Sequence, residues 1–435
     1  MLYYSTNGQS AAVSLREAVI GGLAPDGGLY MPVYLPKMSE SYFRTYHKKS
    51  FREIAFDAAT TFLEDDVPKD VISSIVYEAF DFPFPLKELE SNLFSLELFH
   101  GPTMAFKDVG ARFMSRLMSY LYQGENKELN VIVATSGDTG SAVAAGFYNV
   151  PGINVFVLFP REKVSPLQKK QLTTWGGNIH ALEVDGSFDD CQKLARGVIG
   201  DRDLGSSLSL TSANSINIGR LIPQSFYYFY ACSLLAENGR PVVFSVPSGN
   251  FGNLTGGLMA KAAGLPVHRF IASTNINDVF PRFMDTGKYL PYASKQTMSN
   301  AMDVGDPSNF TRINEMMGNS INNFRDNILS FSFTDTETSD AIQQVNRDNG
   351  YIMDPHGAVA CLGAKKYLKE SGKDMNTIFL ETAHPAKFSE TMKKILPDFS
   401  GFPPQLKSVI NKEERFVPME NDAEAVRSYV VNVNK

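Results

Sequence analysis

Short apolar runs that end in glycine-rich loops constrain the fold of this chain more than any other feature. Residues 131–134 run into the loop at 135–140, and residues 242–246 run into the loop at 247–253. An amphipathic segment follows each loop, and this alternation begins near residue 93. Such strand–loop–helix repetition predicts an α/β fold with parallel sheets and helices on both faces. Ligands of such folds bind at the carboxyl ends of the strands, where both loops lie.

Length and composition indicate a globular protein of more than one domain. The 435 residues are expected to form a mostly helical N-terminal extension at 1–95, a smaller α/β domain at 96–215 and a larger one at 216–435. A net charge of -6 argues against nucleic acid or an anionic membrane as a partner. Three scattered cysteines predict neither a disulfide framework nor a zinc site. Without a secretory signal or a membrane-spanning run, a cytoplasmic location is expected.

One lysine stands in an apolar, turn-rich setting just before a helical pattern. Lys107 follows a turn at Gly101-Pro102 and the apolar residues 104–106. We therefore expect Lys107 to point into the protein rather than into water. Burial favours the unprotonated amine of a lysine, which is the form that bonds to a carbonyl carbon.

The two glycine loops are candidate anion sites. In residues 248–253, Gly249 and Gly252 allow the backbone amides to converge, and the following helix start adds partial positive charge for a phosphate. On spacing alone, a turn without a ligand explains this loop equally well. The hydroxyls and amides of residues 136–140 suit a carboxylate, although Asp138 has the alternative role of capping the next helix. A shielded lysine and two anion sites are what a pyridoxal phosphate (PLP) enzyme requires.

Four motifs in this order resemble the threonine synthase family, in the subgroup of enteric bacteria and fungi. They are His100-Gly101-Pro102-Thr103 with Phe106-Lys107-Asp108, and the segments 135–140, 248–252 and 382–388. The resemblance implies two parallel-sheet domains of the fold type II PLP architecture, as in tryptophan synthase β, with an N-terminal extension. It also implies a carbon–oxygen lyase that converts O-phospho-L-homoserine and water to L-threonine and phosphate by β,γ-elimination and replacement.

The resemblance also assigns roles to single residues, and no metal is among the expected ligands. Lys107 is expected to hold PLP covalently and to act as the catalytic base. The cofactor-binding residues implied are Lys107, Ser248, Gly249, Asn250, Phe251, Gly252, Asn253 and Thr382. The substrate-binding residues implied are Ser136, Gly137, Asp138, Thr139, Arg161, Lys163, Ser165, Asn214, Asn217 and Arg220. For the substrate phosphate, the stretches 161–165 and 212–220 remain alternatives. Asn253 departs from the family, which usually has aspartate there.

Three other functions remain open at this point. A related PLP-dependent phospho-lyase that gives a 2-oxo acid would share every motif. A β-eliminating deaminase of the same fold would not need Arg161 and Lys163. A nonenzymatic regulatory paralogue would keep the fold, but the presence of Lys107 counts against it. The expected partner is a small molecule, and the expected state is a monomer or a homodimer.

Overall fold

Two compact units make up the protein. The computed structural model describes residues 1–161, 164–372, 374–400 and 402–435. Unit one comprises Met1–Val33, Pro102–Arg220 and Phe402–Lys435, and unit two comprises Tyr34–Gly101 and Leu221–Gly401. Each unit contains its own parallel-rich sheet. The predicted α/β class is therefore confirmed.

The strands are short and fall into three sheets. In chain order they are β1 (Leu2–Ser5), β2 (Val13–Ser14), β3 (Tyr30–Pro32), β4 (Leu86–Glu90), β5 (Leu93–Glu97), β6 (Leu129–Ala134), β7 (Ile153–Pro160), β8 (Ile179–Val184), β9 (Ser209–Ser212), β10 (Val242–Pro247), β11 (Val267–Thr274), β12 (Ile328–Ser332), β13 (Asn376–Glu381) and β14 (Val417–Met419).

Four helices precede β5, and the others lie between or after the later strands. In chain order they are α1 (Leu15–Gly21), α2 (Glu40–Phe43), α3 (Phe51–Leu63), α4 (Lys69–Ala79), α5 (Lys107–Leu121), α6 (Asp138–Phe147), α7 (Pro166–Thr173), α8 (Phe188–Ile199), α9 (Arg202–Ser207), α10 (Ile218–Leu221), α11 (Phe226–Leu234), α12 (Gly252–Ala262), α13 (Val279–Thr286), α14 (Phe310–Met316), α15 (Ile321–Asn327), α16 (Asp335–Asn349), α17 (Pro355–Ser371), α18 (Ser389–Ile395), α19 (Pro404–Ile410) and α20 (Ala423–Val433). Short 3-10 helices cover Tyr46–Lys48, Ile222–Ser225, Ala236–Asn238, Asn300–Met302 and Pro385–Phe388. Within the described ranges, none of the helices has the length and apolar character needed to cross a bilayer.

Unit one is built on a five-stranded parallel sheet in the order β14-β8-β7-β6-β9. Strands β6 and β7 are buried along their whole length, as expected for the centre of a sheet covered on both faces. Their apolar side chains pack with those of α8 and α20 in one core. A small antiparallel sheet, β2-β1-β3, completes the unit. The loops that follow β6, β7 and β9 leave the same edge of the large sheet.

Unit two is built on a six-stranded sheet in the order β12-β11-β10-β13-β5-β4. All neighbours are parallel except β4, which pairs antiparallel with β5 at the edge. Because β13 lies between β10 and β5, the segments after these three strands leave the sheet side by side. Buried residues of α17 pack on this sheet and form a core with β13.

The predicted strands at 131–134 and 242–246 recur in the structure as β6 and β10 with one end of each shifted by one or two residues, but the units group the chain differently from the predicted domains. Residues 1–95 are divided, because β1–β3 belong to unit one and α3 and α4 to unit two. The C-terminal segment 402–435 joins unit one, because β14 pairs with β8. The small antiparallel sheet was not predicted, since strands of two to four residues leave almost no alternation to detect.

Candidate active site

Lys107 is the first residue of α5, and a clamp holds the loop before it. Its side chain is half-buried, with Nζ 5.5 Å from the centroid of the Phe106 ring. The backbone N–H and hydroxyl of Thr103 donate to the carboxylate of Asp108 at 2.9 and 2.7 Å. Met104, inside this clamp, has a left-handed φ of 58°, which a side chain adopts only under constraint. The lysine therefore begins its helix from a fixed turn.

Arg220 accompanies Asp108 in the interior of unit one. Asp108 is fully buried, and Arg220 is 2% exposed. Burial lowers the pKa of Arg220 to about 10, while the negative charge of Asp108 acts in the opposite direction. Nη1 of Arg220 donates to the carbonyl of Ala213 at 2.6 Å, and a Cβ at Gly110 would lie 2.8 Å from Nε. We interpret Arg220, predicted as a substrate contact, as a residue that holds the start of α5.

Thr135 organises the loop between β6 and α6, a role that the sequence analysis missed. Its Oγ1 accepts the backbone N–H of Gly137 at 2.9 Å and that of Gly140 at 2.8 Å. Gly137 has a φ of 143°, which favours glycine. The alternative role of Asp138 as a helix cap is wrong, because no side chain caps α6 at its N-terminus and Asp138 Oδ1 accepts from Gln168 Nε2 at 3.0 Å.

Two hydroxyls of this loop remain available for a ligand. Ser136 and Thr139 are half-buried, and their side chains make no hydrogen bond within the part of the chain that the structure describes. Gly137, predicted with them, lies against the side chain of Gln168, whose Cδ is 2.5 Å from where a Cβ of residue 137 would stand. The predicted carboxylate site thus retains two hydroxyl donors, Ser136 and Thr139, in a loop that the hydrogen bonds of Thr135 hold in place.

The predicted phosphate stretch after β7 is engaged in other contacts. Arg161 is 42% exposed and lies within 3.8 Å of Glu183 and 3.7 Å of Asp185, so two carboxylates already offset its charge. Ser165 caps α7 by accepting the N–H of Gln168 at 3.3 Å. Lys163 lies outside the described residues.

Two asparagines of the alternative stretch after β9 form hydrogen bonds that hold segments of unit one together. Asn214 donates to the carbonyl of Ala134 at 2.9 Å and accepts its N–H at 3.3 Å, which ties the ends of β9 and β6 together. Asn217 is fully buried, donates to the carbonyls of Val19 and Ser212, and accepts the N–H of Gly219 at 2.9 Å. Its hydrogen-bonding capacity is used within unit one.

In unit two, the loop after β10 has the geometry of an anion site. A Cβ at Gly249 would lie 2.6 Å from the carbonyl oxygen of Ala301, so only glycine fits there. Phe251 adopts a left-handed φ of 60° directly before α12 begins, and its ring is buried against Phe280. Unpaired amides at the start of a helix are a ready site for phosphate.

Side-chain amides fix both ends of this loop. Asn253 Nδ2 donates to the carbonyl of Pro247 at 2.8 Å, so the asparagine closes the loop. The N–H and hydroxyl of Ser308 each donate to Asn250 Oδ1 at 3.3 Å, and Nδ2 of Asn309 donates to the Asn250 carbonyl at 3.0 Å. Ser308 and Asn309 were not predicted, because nothing in the sequence connects positions nearly sixty residues apart.

A fully buried arginine is linked to the loop through Asn309. Arg312 Nη1 donates to Asn309 Oδ1 at 2.7 Å, and burial lowers the pKa of its guanidinium to about 9. A cation held at this depth adds positive potential beside the loop. At the start of the loop, the hydroxyl of Ser248 donates to the carbonyl of Val246 at 2.8 Å.

Thr382 follows β13 at the same edge of the sheet. It is 5% exposed, and its hydroxyl makes no hydrogen bond within residues 1–161, 164–372, 374–400 and 402–435. The preceding Glu381 is fully buried, and desolvation raises the pKa of its carboxyl well above the usual value. His384 accepts the N–H of Ala386 at 3.1 Å, and burial, with a smaller contribution from His100, lowers its pKa to about 4. This histidine is therefore a neutral structural acceptor.

The remaining candidate groups in the described ranges are possible metal ligands and the cysteines. No group of three or more His, Cys, Asp or Glu side chains is placed there to hold a metal ion. Cys191, Cys232 and Cys361 are free and buried, and burial raises the pKa of each thiol.

Comparisons with known proteins assign this arrangement to a family. A family model described as pyridoxal-phosphate dependent enzyme matches residues 80–382. Models described as threonine synthase N terminus and threonine synthase, C-terminal match residues 2–80 and 357–430. The chain is 42% identical to threonine synthase of Escherichia coli strain K12, over 93% of this chain and 94% of that protein.

Solved structures agree with the sequence comparison. The crystal structure of threonine synthase from Escherichia coli superposes with a TM-score of 0.92 at 40% identity and covers 100% of both chains. A PLP-bound threonine synthase from Brucella melitensis gives a TM-score of 0.94 at 35% identity, again over 100% of both chains. The predicted resemblance, cofactor and lyase class are confirmed. This chain therefore belongs to the threonine synthase family of PLP-dependent enzymes.

Proposed function

We propose that this enzyme makes L-threonine and phosphate from O-phospho-L-homoserine and water. The observation that carries the proposal is the clamped, half-buried Lys107 at the start of α5, in a chain that belongs to this family. A lysine without such constraint would stay extended in water and protonated.

The residues present fit PLP. The loop at 248–253 offers a turn that only glycine can occupy, helix-start amides for a phosphate, and a buried cation, Arg312, linked to it through Asn309. Thr382 supplies a buried hydroxyl without a partner in the described chain, which suits a pyridine nitrogen. We assign Lys107 to the covalent link, Ser248, Gly249, Asn250, Phe251, Gly252 and Asn253 to the phosphate, and Thr382 to the ring.

Lys107 moves the protons of the reaction. PLP, when bound, withdraws electrons from the substrate's α-carbon and so acidifies the neighbouring C–H bonds. Nζ of Lys107, in its unprotonated form, would take the proton from the substrate's Cα and then one from Cβ. Phosphate leaves from Cγ with the C–O bonding pair. A proton returns to Cγ, water adds its oxygen to Cβ and gives one proton to the departing phosphate, and a proton restored to Cα completes threonine.

The loop at 136–140 is proposed to hold the substrate carboxylate. The hydroxyls of Ser136 and Thr139 have no hydrogen-bond partner among the described residues, and the hydrogen bonds of Thr135 keep the loop's backbone amides in place. Binding the carboxylate there orients Cα toward the base, which is the main contribution that a binding loop makes to rate. For the substrate phosphate we retain the stretch at 161–165 with Lys163 as its cation, because in the alternative stretch Asn217 is fully used in hydrogen bonds within unit one.

Product analysis tests the proposal. Purified holoenzyme is supplied with O-phospho-L-homoserine, and phosphate, threonine and 2-oxobutyrate are measured together. Equal amounts of phosphate and threonine are expected. Phosphate with 2-oxobutyrate in place of threonine would identify the related phospho-lyase, and no phosphate would favour a nonenzymatic paralogue. Turnover of unphosphorylated threonine or serine instead would identify the deaminase.

Location and assembly remain proposals from the sequence. We propose a cytoplasmic enzyme that acts on a small molecule as a monomer or a homodimer. Sedimentation of the purified holoenzyme distinguishes the two states.

A further inference from the structure

The short 3-10 helix Asn300–Met302 packs against the loop at 248–253, and we call this helix the wall. The carbonyl oxygen of Ala301 and the Cα of Met302 lie 2.6 and 3.1 Å from where a Cβ of Gly249 would stand. The wall leaves no free space behind the turn. Any shift of Ala301 therefore alters the direction of the loop's amides.

A buried histidine holds this wall. The N–H of Ala301 donates to Nε2 of His356 at 3.2 Å. Because a backbone N–H can only donate, Nε2 carries no proton, and the ring proton is on Nδ1. Nδ1 lies 2.6 Å from Oδ1 of Asp354, to which it donates. His356 is 3% exposed and Asp354 is fully buried, so water does not compete for these bonds.

The carboxylate of Asp354 reaches a second segment of the candidate site. It accepts the N–H of His356 at 2.8 Å and that of Gly357 at 3.3 Å, which caps α17 at its positive end. Its Oδ2 also accepts the N–H of Ala383 at 3.3 Å, directly after Thr382. One carboxylate thus contacts the residue beside Thr382 and, through His356, the wall beside Gly249.

We propose that Asp354 and His356 form a positioning pair that sets the geometry of the cofactor phosphate loop and of Thr382 together. The proposal rests on the function proposed above for the 248–253 loop. Both ring nitrogens of His356 are engaged, so the imidazole has no free nitrogen for proton transfer to a ligand. The pair reaches the two segments of the candidate site through Ala301 and Ala383.

Two substitutions of His356 separate its two bonds. Asparagine places its amide near the position of Nδ1, so His356→Asn keeps the donor to Asp354 and loses the acceptor for Ala301. Glutamine is longer and places an oxygen near the position of Nε2, so His356→Gln keeps the acceptor for Ala301. Gly249→Ala is the reference variant, because it changes the loop itself.

The measurement compares two ligands that differ only in the phosphate. Holoenzyme is stripped with hydroxylamine, and the Kd values of PLP and of pyridoxal are obtained by absorbance titration. For His356→Asn, we expect the Kd of PLP to rise about tenfold, equivalent to about 1.4 kcal/mol. The Kd of pyridoxal should stay within about twofold of the parent value. His356→Gln should recover most of the PLP affinity.

The outcomes distinguish this inference from the proposed site. If Gly249→Ala weakens PLP but His356→Asn does not, the positioning pair is refuted while the phosphate loop stands. If His356→Asn weakens PLP and pyridoxal equally, the role of His356 is a general structural one and the inference fails. If Gly249→Ala leaves the Kd of PLP unchanged, the phosphate loop is misassigned and the inference falls with it.

Discussion

Replacing Arg220 by methionine is expected to destabilise unit one by about 3–5 kcal/mol, because it leaves the buried charge of Asp108 without its cation. The two hydrogen bonds from Thr103 remain and compensate part of that charge, which favours the lower end of the range. The carbonyl of Ala213 loses a donor, and that adds about 1 kcal/mol. The expected total is therefore about 4 kcal/mol, a large part of a typical domain's stability.

A double-mutant cycle tests the reason for this loss. Arg220→Met, Asp108→Asn and the double variant are unfolded in urea at pH 7 and followed by circular dichroism. The double variant buries neither charge, so it should be about 2 kcal/mol more stable than the sum of the single effects predicts. Additivity within about 0.5 kcal/mol would refute the coupling. A raised KM with unchanged stability in Arg220→Met would instead restore the substrate role that the sequence predicted.

Three further results are expected. Thr382→Val should keep the circular dichroism spectrum but reduce kcat, because an unpaired ring partner costs about 1–3 kcal/mol; an unchanged cofactor spectrum and rate would show that Thr382 is not that partner. Ser136→Ala and Thr139→Val should each raise the KM for O-phospho-L-homoserine about tenfold with the cofactor absorbance unchanged, and an unchanged KM in both would move the carboxylate site elsewhere. The native state keeps the Glu381 proton after the unfolded carboxyl has ionised, so stability should fall by about 1.4 kcal/mol per pH unit above about pH 4.5. Glu381→Gln should remove that slope, and equal pH profiles of unfolding for the variant and the parent would contradict it.

Local features were predictable from the sequence because their signals are contiguous. Apolar runs followed by glycine loops correctly predicted β6, β10 and the helices after them. Ser14 with Glu17 three residues later has the spacing of a capping box, and both hydrogen bonds of that box are present at the start of α1. The same spacing of Ser165 and Gln168 was a signal for a cap at α7 that the family resemblance obscured.

Contacts between distant segments were not predictable. Nothing near Gly249 in the sequence indicates that Ala301 closes its turn or that His356 holds Ala301. The burial of Asn217 and Arg220 depends on how α1 and α5 pack around them, so polar side chains in a loop were interpreted as ligand contacts. Folding brings such partners together, and a single sequence carries no spacing signal for them.

The assignment of Lys107 as the residue that holds the cofactor can be tested by chemical trapping of the link between them. Purified holoenzyme is reduced with borohydride, which fixes the link between lysine and cofactor, and the digested protein is mapped by mass spectrometry. We predict the pyridoxyl-phosphate mass on Lys107, together with loss of the visible absorbance band and of threonine formation in Lys107→Ala. A label on any other lysine, or a Lys107→Ala enzyme that still forms threonine at the parent rate, would show that Lys107 does not hold the cofactor.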